Sequence, residues 1–141
     1  MAGKIPAEEV VARVRTVLHS FDEVCFAYLF GSVARGNTGP LSDLDIAVWV
    51  AGDIDCFQFR LRCLDALMSA LGRDDIDLVV LNEAPLELAY RVVRDGRVIV
   101  ESRLERVAFE TRVIDLYLDA EPLRRTQRAY LKERLSGGSR G

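Results

Sequence analysis

The residues with the clearest capacity for chemistry are Gly31 and Ser32, followed after ten intervening residues by Asp43 and Asp45. A strand that ends in Gly-Ser and turns sharply can aim backbone N–H groups and a hydroxyl at a phosphate. Glycine suits the position because a phosphate must approach the main chain closely. Asp43 and Asp45 stand two apart, so on a strand both carboxylates point the same way. That is costly for a plain core, where like charges repel and buried acids need partners. A divalent cation removes the cost. Hard Mg²⁺ takes carboxylate oxygen together with phosphate oxygen, and two such ions can activate an attacking hydroxyl and steady a leaving pyrophosphate. Asp77 on a later strand is the natural third carboxylate, and Asp75, on the same face by alternation, is the alternative.

Several elements must position these groups. Pro6 followed by Ala-Glu-Glu reads as a helix start, and Val10, Val11, Val14, Val17 and Leu18 give the helix an apolar face over about 6–20. The apolar run 24–30, stopped by Gly31, predicts a buried strand. Residues 31–42 are rich in Gly, Ser, Asn and Pro and predict a loop. A strand over 43–50 then puts Asp43, Asp45, Ala47 and Trp49 on one face and Leu44, Ile46, Val48 and Val50 on the other. Phe57, Leu61, Leu64, Met68 and Leu71 predict the apolar face of a second helix, closed by Gly72.

Residues 75–81 read as a third strand, Pro85 opens a short helix closing near Gly96, and 97–100 suggest an edge strand. Leu104, Val107, Ile114 and Leu118 seed a helix from about 103 to 120, Pro122 breaks or bends it, and a last helix runs to about 135. The expectation is one α/β (α+β) domain over 1–135, a small mixed sheet flanked by helices with a C-terminal helical extension, and a disordered tail over 136–141.

Length and composition bound the possibilities. A chain of 141 residues has room for one domain, and half of it is hydrophobic with 29% charged, which excludes disorder or a fibrous repeat for the whole. A net charge of −3 argues against binding nucleic acid by bulk charge alone. Cys25, Cys56 and Cys63 form no CxxC pair, which speaks against a zinc ribbon or a disulfide framework and for reduced thiols as core filler. The N-terminus lacks an apolar signal core and no run suffices for a membrane span, so a cytoplasmic location is expected. His19, the single histidine, is read as a cation at a helix C-terminus. With no triad available, metal ions and a carboxylate are the agents this sequence offers.

The pattern Gly31-Ser32, ten residues, Asp43-x-Asp45, with a later Asp77, resembles the nucleotidyltransferases of the DNA polymerase β superfamily. More narrowly, GSVARGNTGPLSDLDIAV resembles the minimal nucleotidyltransferases. The stretch DLVVLNEAPLELAYRVVRDGRVIVE, followed by ERVAFE, is similar to MntA-type antitoxins of HEPN–MNT toxin–antitoxin pairs. The resemblance spans roughly residues 24–130. It implies a nucleotidyltransferase fold and transfer of AMP from ATP to a tyrosine hydroxyl of a HEPN ribonuclease partner, which is thereby neutralised. By position it implies that Gly31 and Ser32 hold the triphosphate and that Asp43 and Asp45 bind magnesium. Asp77 would complete the metal site and help deprotonate the acceptor, and Arg35 would meet the β/γ phosphates.

Trp49, Tyr90 and Tyr117 are read as packing residues, with adenine stacking a lesser option for Trp49. Arg124, Arg125, Arg128, Lys132 and Arg134 face only Glu133 within their own stretch, so the helix over 123–135 reads either as a solvated face or as one that docks an acidic partner surface, or RNA held by that partner. Two other functions fit part of the pattern: a stoichiometric antitoxin that masks its partner without turnover, and a nucleotidyltransferase acting on a small molecule. The latter usually carries a further domain that grips the acceptor, which is not evident here.

Overall fold

The computed structural model describes residues 7–31 and 44–138. Helix α1 (Ala7–His19) leads into strand β1 (Val24–Phe30), β2 (Leu44–Val50) returns beside it, and α2 (Cys56–Leu71) crosses to β3 (Ile76–Val80). After a 3-10 turn at Leu81–Glu83 come α3 (Leu86–Asp95), β4 (Arg97–Val100), α4 (Arg103–Asp119) and α5 (Glu121–Gly138). The sheet order is β3-β2-β1-β4. Strand β1 is antiparallel to β2 and β4, whereas β2 and β3 are parallel. A parallel pair needs a crossover of a dozen or more residues, which α2 supplies. The fold is the expected mixed α/β one, with residues 97–100 at an edge. Of the third strand expected over 75–81, Leu81 belongs to the turn.

Alternation along the strands divides the core into two layers. Ala27, Leu29, Leu44, Ile46, Val48 and Leu78 pack against α1 and α2, while Phe26, Tyr28, Phe30 and Ala47 pack against α3 and α4. Helix α2 begins at Asp55, whose carboxylate accepts from the N–H groups of Phe57 and Gln58, and ends at left-handed Gly72. Asn82 extends the strand ladder with its side chain: its amide donates to the Val50 carbonyl at 2.9 Å and accepts from the Val50 N–H at 3.0 Å.

The buried face of α2 is rotated from the expected one: Leu71 is common to both, and Leu64 and Met68 pack half-buried at its margin. Phe59, Cys63, Leu67 and Leu71 are inside, Phe57 is 64% exposed, and Leu61 is also outside. The polar residues explain this. Gln58, Arg62, Asp65 and Ser69 form a single stripe, and the residues opposite that stripe are the buried ones. Similarly, the residues that seed α4 do not enter the core. Leu104, Val107, Ile114 and Leu118 are exposed, and α4 packs through Phe109 and Val113.

Trp49 stacks on Phe26 with centroids 6.0 Å apart and lies 5.0 Å from Phe109, a packing role. Tyr90 and Tyr117 stack face to face at 3.6 Å between α3 and α4. The basic stretch is less free than expected, because Glu121, just outside it, gathers Arg124, Arg125 and Arg128.

Candidate active site

Three strands converge on one row. Phe30, the last residue of β1, pairs with Asp45 on β2, and Asp45 pairs in parallel register with Asp77 on β3. Leu44, Ile46, Ile76 and Leu78 all point into the α1/α2 layer, so Asp45 and Asp77 point to the opposite face together. Neighbouring strands run roughly 4.8 Å apart, so the two carboxylates share one small region. Asp45 is half-buried and Asp77, on an edge strand, is exposed.

Gly31 turns the chain immediately beyond this row. Its φ of 77° lies in the left-handed region, which disfavours other residues. A Cβ built there would overlap Oδ2 of Asp45 and stand 3.1 Å from its Cγ. Glycine is therefore required twice, by backbone conformation and by the closeness of the carboxylate. The bend, Asp45 and Asp77 are brought together. Ser32, Arg35 and Asp43 lie outside the described residues, as do Ser42 and the last three positions of the chain.

Asp75, the alternative third carboxylate, is engaged elsewhere. Arg73 Nε donates to its Oδ1 at 2.5 Å and Nη2 to its Oδ2 at 2.7 Å, and this pairing holds its carboxyl below the usual range. The pair was not anticipated from sequence, although an arginine two residues before an aspartate, just after a helix-ending glycine, is a visible signal. Trp49 lies four residues along β2 from Asp45, roughly 13 Å away at about 3.3 Å per residue.

The donor set fits a hard divalent cation. Two carboxylates in register, one of them set against the main chain where Gly31 has no side chain, suit an oxygen-ligated ion. Among the described residues no group of three His, Cys, Asp or Glu side chains forms a metal cluster.

The model of the family described as polymerase beta nucleotidyltransferases matches residues 13–105. The chain belongs to that family. The matched span contains Gly31, Ser32, Arg35, Asp43, Asp45 and Asp77. Protein adenylyltransferase MntA of Shewanella oneidensis is 36% identical over 90 residues, covering 64% of this chain and 63% of that protein. The chain thus aligns with less than two thirds of that relative's length. A crystal structure of a toxin–antitoxin with AMP-PNP superposes with a TM-score of 0.75 at 28% identity, covering 86% of this chain and 97% of that one. A tri-AMPylated Shewanella oneidensis HEPN toxin in complex with MNT antitoxin matches with a TM-score of 0.72 at 25% identity, covering 89% and 98%. The likeness to these two solved structures thus covers 86% and 89% of the chain, more than the residues 13–105 that the family model matches.

Proposed function

We propose that this nucleotidyltransferase transfers AMP from ATP to a tyrosine hydroxyl of a HEPN ribonuclease toxin and so neutralises it. The observation that carries this reading is the row of Asp45 and Asp77 against the Gly31 bend. The adenylyltransferase relative and the AMPylated-toxin complex support the choice of nucleotide and acceptor.

In this reading Asp43, Asp45 and Asp77 hold divalent cations, Gly31 and Ser32 receive the triphosphate, and Arg35 meets its β/γ phosphates. Magnesium bound there, as two ions, supplies Lewis-acid polarisation of the phosphate and of the acceptor hydroxyl. A tyrosine titrates near pH 10, so it needs help at neutral pH. Asp77 accepts the phenolic proton. The tyrosine oxygen bonds to the α-phosphorus as the bond to the oxygen bridging to the β-phosphate breaks, and pyrophosphate leaves. The exposure of Asp77 on an edge strand suits a protein acceptor, which must reach the site from outside.

The toxin docks along α5, in this reading, through Leu123, Tyr130, Leu131 and Leu135, with Arg125, Arg128, Lys132 and Arg134 meeting acidic groups. Exposed Leu104, Val107, Ile114 and Leu118 on α4 follow a three-four spacing suited to a helix of the partner. A cytoplasmic location fits the three free cysteines and the absence, among the described residues, of a helix long and apolar enough to cross a membrane.

Intact-mass analysis of a co-expressed HEPN toxin tests the reading. AMP-sized increments are expected with the unaltered chain and none with Asp45→Asn or Asp77→Asn. A toxin neutralised without any mass increment would leave masking as the function and overturn the enzymatic one.

A further inference from the structure

Among the described residues, β3 has a strand neighbour on one side only, β2. An edge strand leaves its outward carbonyls without a ladder partner. The N–H of Leu44 donates to the carbonyl of Asp75, just before β3, at 3.0 Å. That bond sets the phase of the ladder. Counting by two, the carbonyls of Asp77 and Val79 also turn toward β2, and that of Leu78 turns outward. The outward carbonyl is taken: Arg60 on α2, half-buried, donates its Nε to the Leu78 oxygen at 2.8 Å.

Three constraints therefore meet at residues 77 and 78. The ladder holds Asp77 in register with Asp45, the Leu78 side chain is buried in the α1/α2 layer, and Arg60 closes the open edge. Asp77 projects to the opposite face, so Arg60 acts on its carboxylate only through the main chain. That matters because an edge strand opens more readily than a central one, whereas a ligand must keep its place.

The other edge of the sheet carries the same kind of bond. Ile99 has no partner in the β1 register, and its carbonyl accepts from Arg15 Nε on α1, also at 2.8 Å. Strand β4 lies three strands from β3, roughly 14 Å away at about 4.8 Å per strand, and carries none of the proposed cation ligands. One arginine thus closes an edge beside a proposed ligand and the other closes an edge far from any.

We infer that Arg60 is a positioning residue for AMP transfer: by pinning the Leu78 carbonyl, it holds the edge strand so that the Asp77 carboxylate stays at the cation site. The inference rests on the metal-site reading proposed above.

The test titrates the full chain with Mn²⁺ alone, followed by electron paramagnetic resonance, and measures amide exchange in parallel. Arg60→Met keeps the apolar stem and removes the donor. It is expected to speed exchange over residues 76–80 by up to roughly tenfold, about the weight of one hydrogen bond. It should also weaken Mn²⁺ binding by roughly three- to tenfold, below the loss of a direct ligand contact. Arg60→Lys keeps a donor and should bind Mn²⁺ more tightly than Arg60→Met does. Arg15→Met should loosen β4 to a similar degree yet leave Mn²⁺ affinity within about twofold, because distant sites couple weakly. Unaltered Mn²⁺ affinity in Arg60→Met, equal weakening by Arg15→Met, or no recovery with lysine overturns the inference. Asp77→Asn is the control for the site itself: if Mn²⁺ binding ignores that change, the metal-site reading fails and this inference falls with it.

Discussion

Gly31 and Asp45 are so close that a methyl group on the glycine would overlap the carboxylate. The end of one strand and the acidic residue of the next are fitted to each other, and the left-handed φ of 77° reinforces the requirement. Gly31→Ala should destabilise the fold by at least about 1–2 kcal/mol, the cost of the left-handed conformation for an L-residue. It should also displace the Asp45 carboxylate and reduce AMP transfer roughly a hundredfold, as misplacement by about 1 Å can. Chemical denaturation and single-turnover AMP incorporation measure the two losses. An alanine variant as stable and as active as the parent would show that the closeness has no consequence.

Asp45→Asn and Asp77→Asn separate chemistry from folding. Both carboxylates face the same side, in register, so removing one relieves repulsion in the metal-free protein. Thermal melting without divalent cations should show an unchanged or slightly higher Tm, while AMP transfer falls at least roughly a hundredfold. The same outcome is expected when Asp43→Ala and Asp45→Ala are combined. A large fall in Tm would mean that these acids serve the fold instead.

Local signals carried most of the architecture. The Pro6 start, the Gly31 stop, the Gly72 cap and the period-two pattern around Asp45 each act over a few residues, and each is visible in the chain. Which face an element buries is decided by distant partners, and there the pattern misleads. In α2 the expected set Phe57, Leu61, Leu64, Met68 and Leu71 overlaps the buried set Phe59, Cys63, Leu67 and Leu71, and packing against the sheet and α1 leaves Leu64 and Met68 half-buried at the margin and turns Phe57 and Leu61 outward. Helix α4 carries apolar residues on two sides, one for the core and one facing out. At the site, the spacing of Gly31, Asp45 and Asp77 was legible. The capture of Asp75 by Arg73 depends on the turn that follows α2, which periodicity does not describe.

The reassigned α2 face is directly testable. Phe59 is fully buried and edge-on to Phe21 at 5.7 Å, whereas Phe57 projects into solvent. Phe59→Ala should cost about 3–5 kcal/mol, and Phe57→Ala should stay within about 0.5 kcal/mol. Urea unfolding of the two variants decides it, and equal losses would restore the face expected from the apolar spacing.

Alkaline pH should weaken the fold by a route separate from the active site. Burial pushes the Cys63 thiol up to about 12, and burial with the Glu110 carboxylate beside it raises the Tyr28 hydroxyl. Above their ordinary values, near 9 and 10, the unfolded chain releases protons that the folded one retains. The stability these groups contribute is therefore complete below pH 9 and is lost as pH rises from 9 toward 12. The slope approaches about 1.4 kcal/mol per pH unit for each group. Cys63→Val should flatten the decline between pH 9 and 11 in denaturant titrations. A profile unaltered by that change would mean Cys63 ionises without cost to the fold.

The arginines at the start of α5 divide into one that holds the helix and two that face outward. Arg124 lies 3.6 Å over the Tyr117 ring, which stacks on Tyr90. Its Nη2 also donates to the Tyr117 carbonyl at 2.7 Å and to Glu121 at 2.6 Å. Arg125 and Arg128 reach the same glutamate at 3.3 and 3.4 Å but remain 74% and 65% exposed. Arg124→Ala should loosen α5 from α4 and speed amide exchange over residues 121–138 by roughly tenfold, because few other contacts hold that helix. Arg125→Glu with Arg128→Glu should leave exchange there nearly unchanged and instead weaken co-purification with the toxin, most strongly at low salt. Leu104, 88% exposed, and Leu118 offer a parallel probe, since Leu104→Glu with Leu118→Glu removes apolar contact from α4 without touching its core face. If both double variants capture toxin as well as the parent does, the partner binds another face, and the outward apolar residues of α4 and α5 need a different explanation.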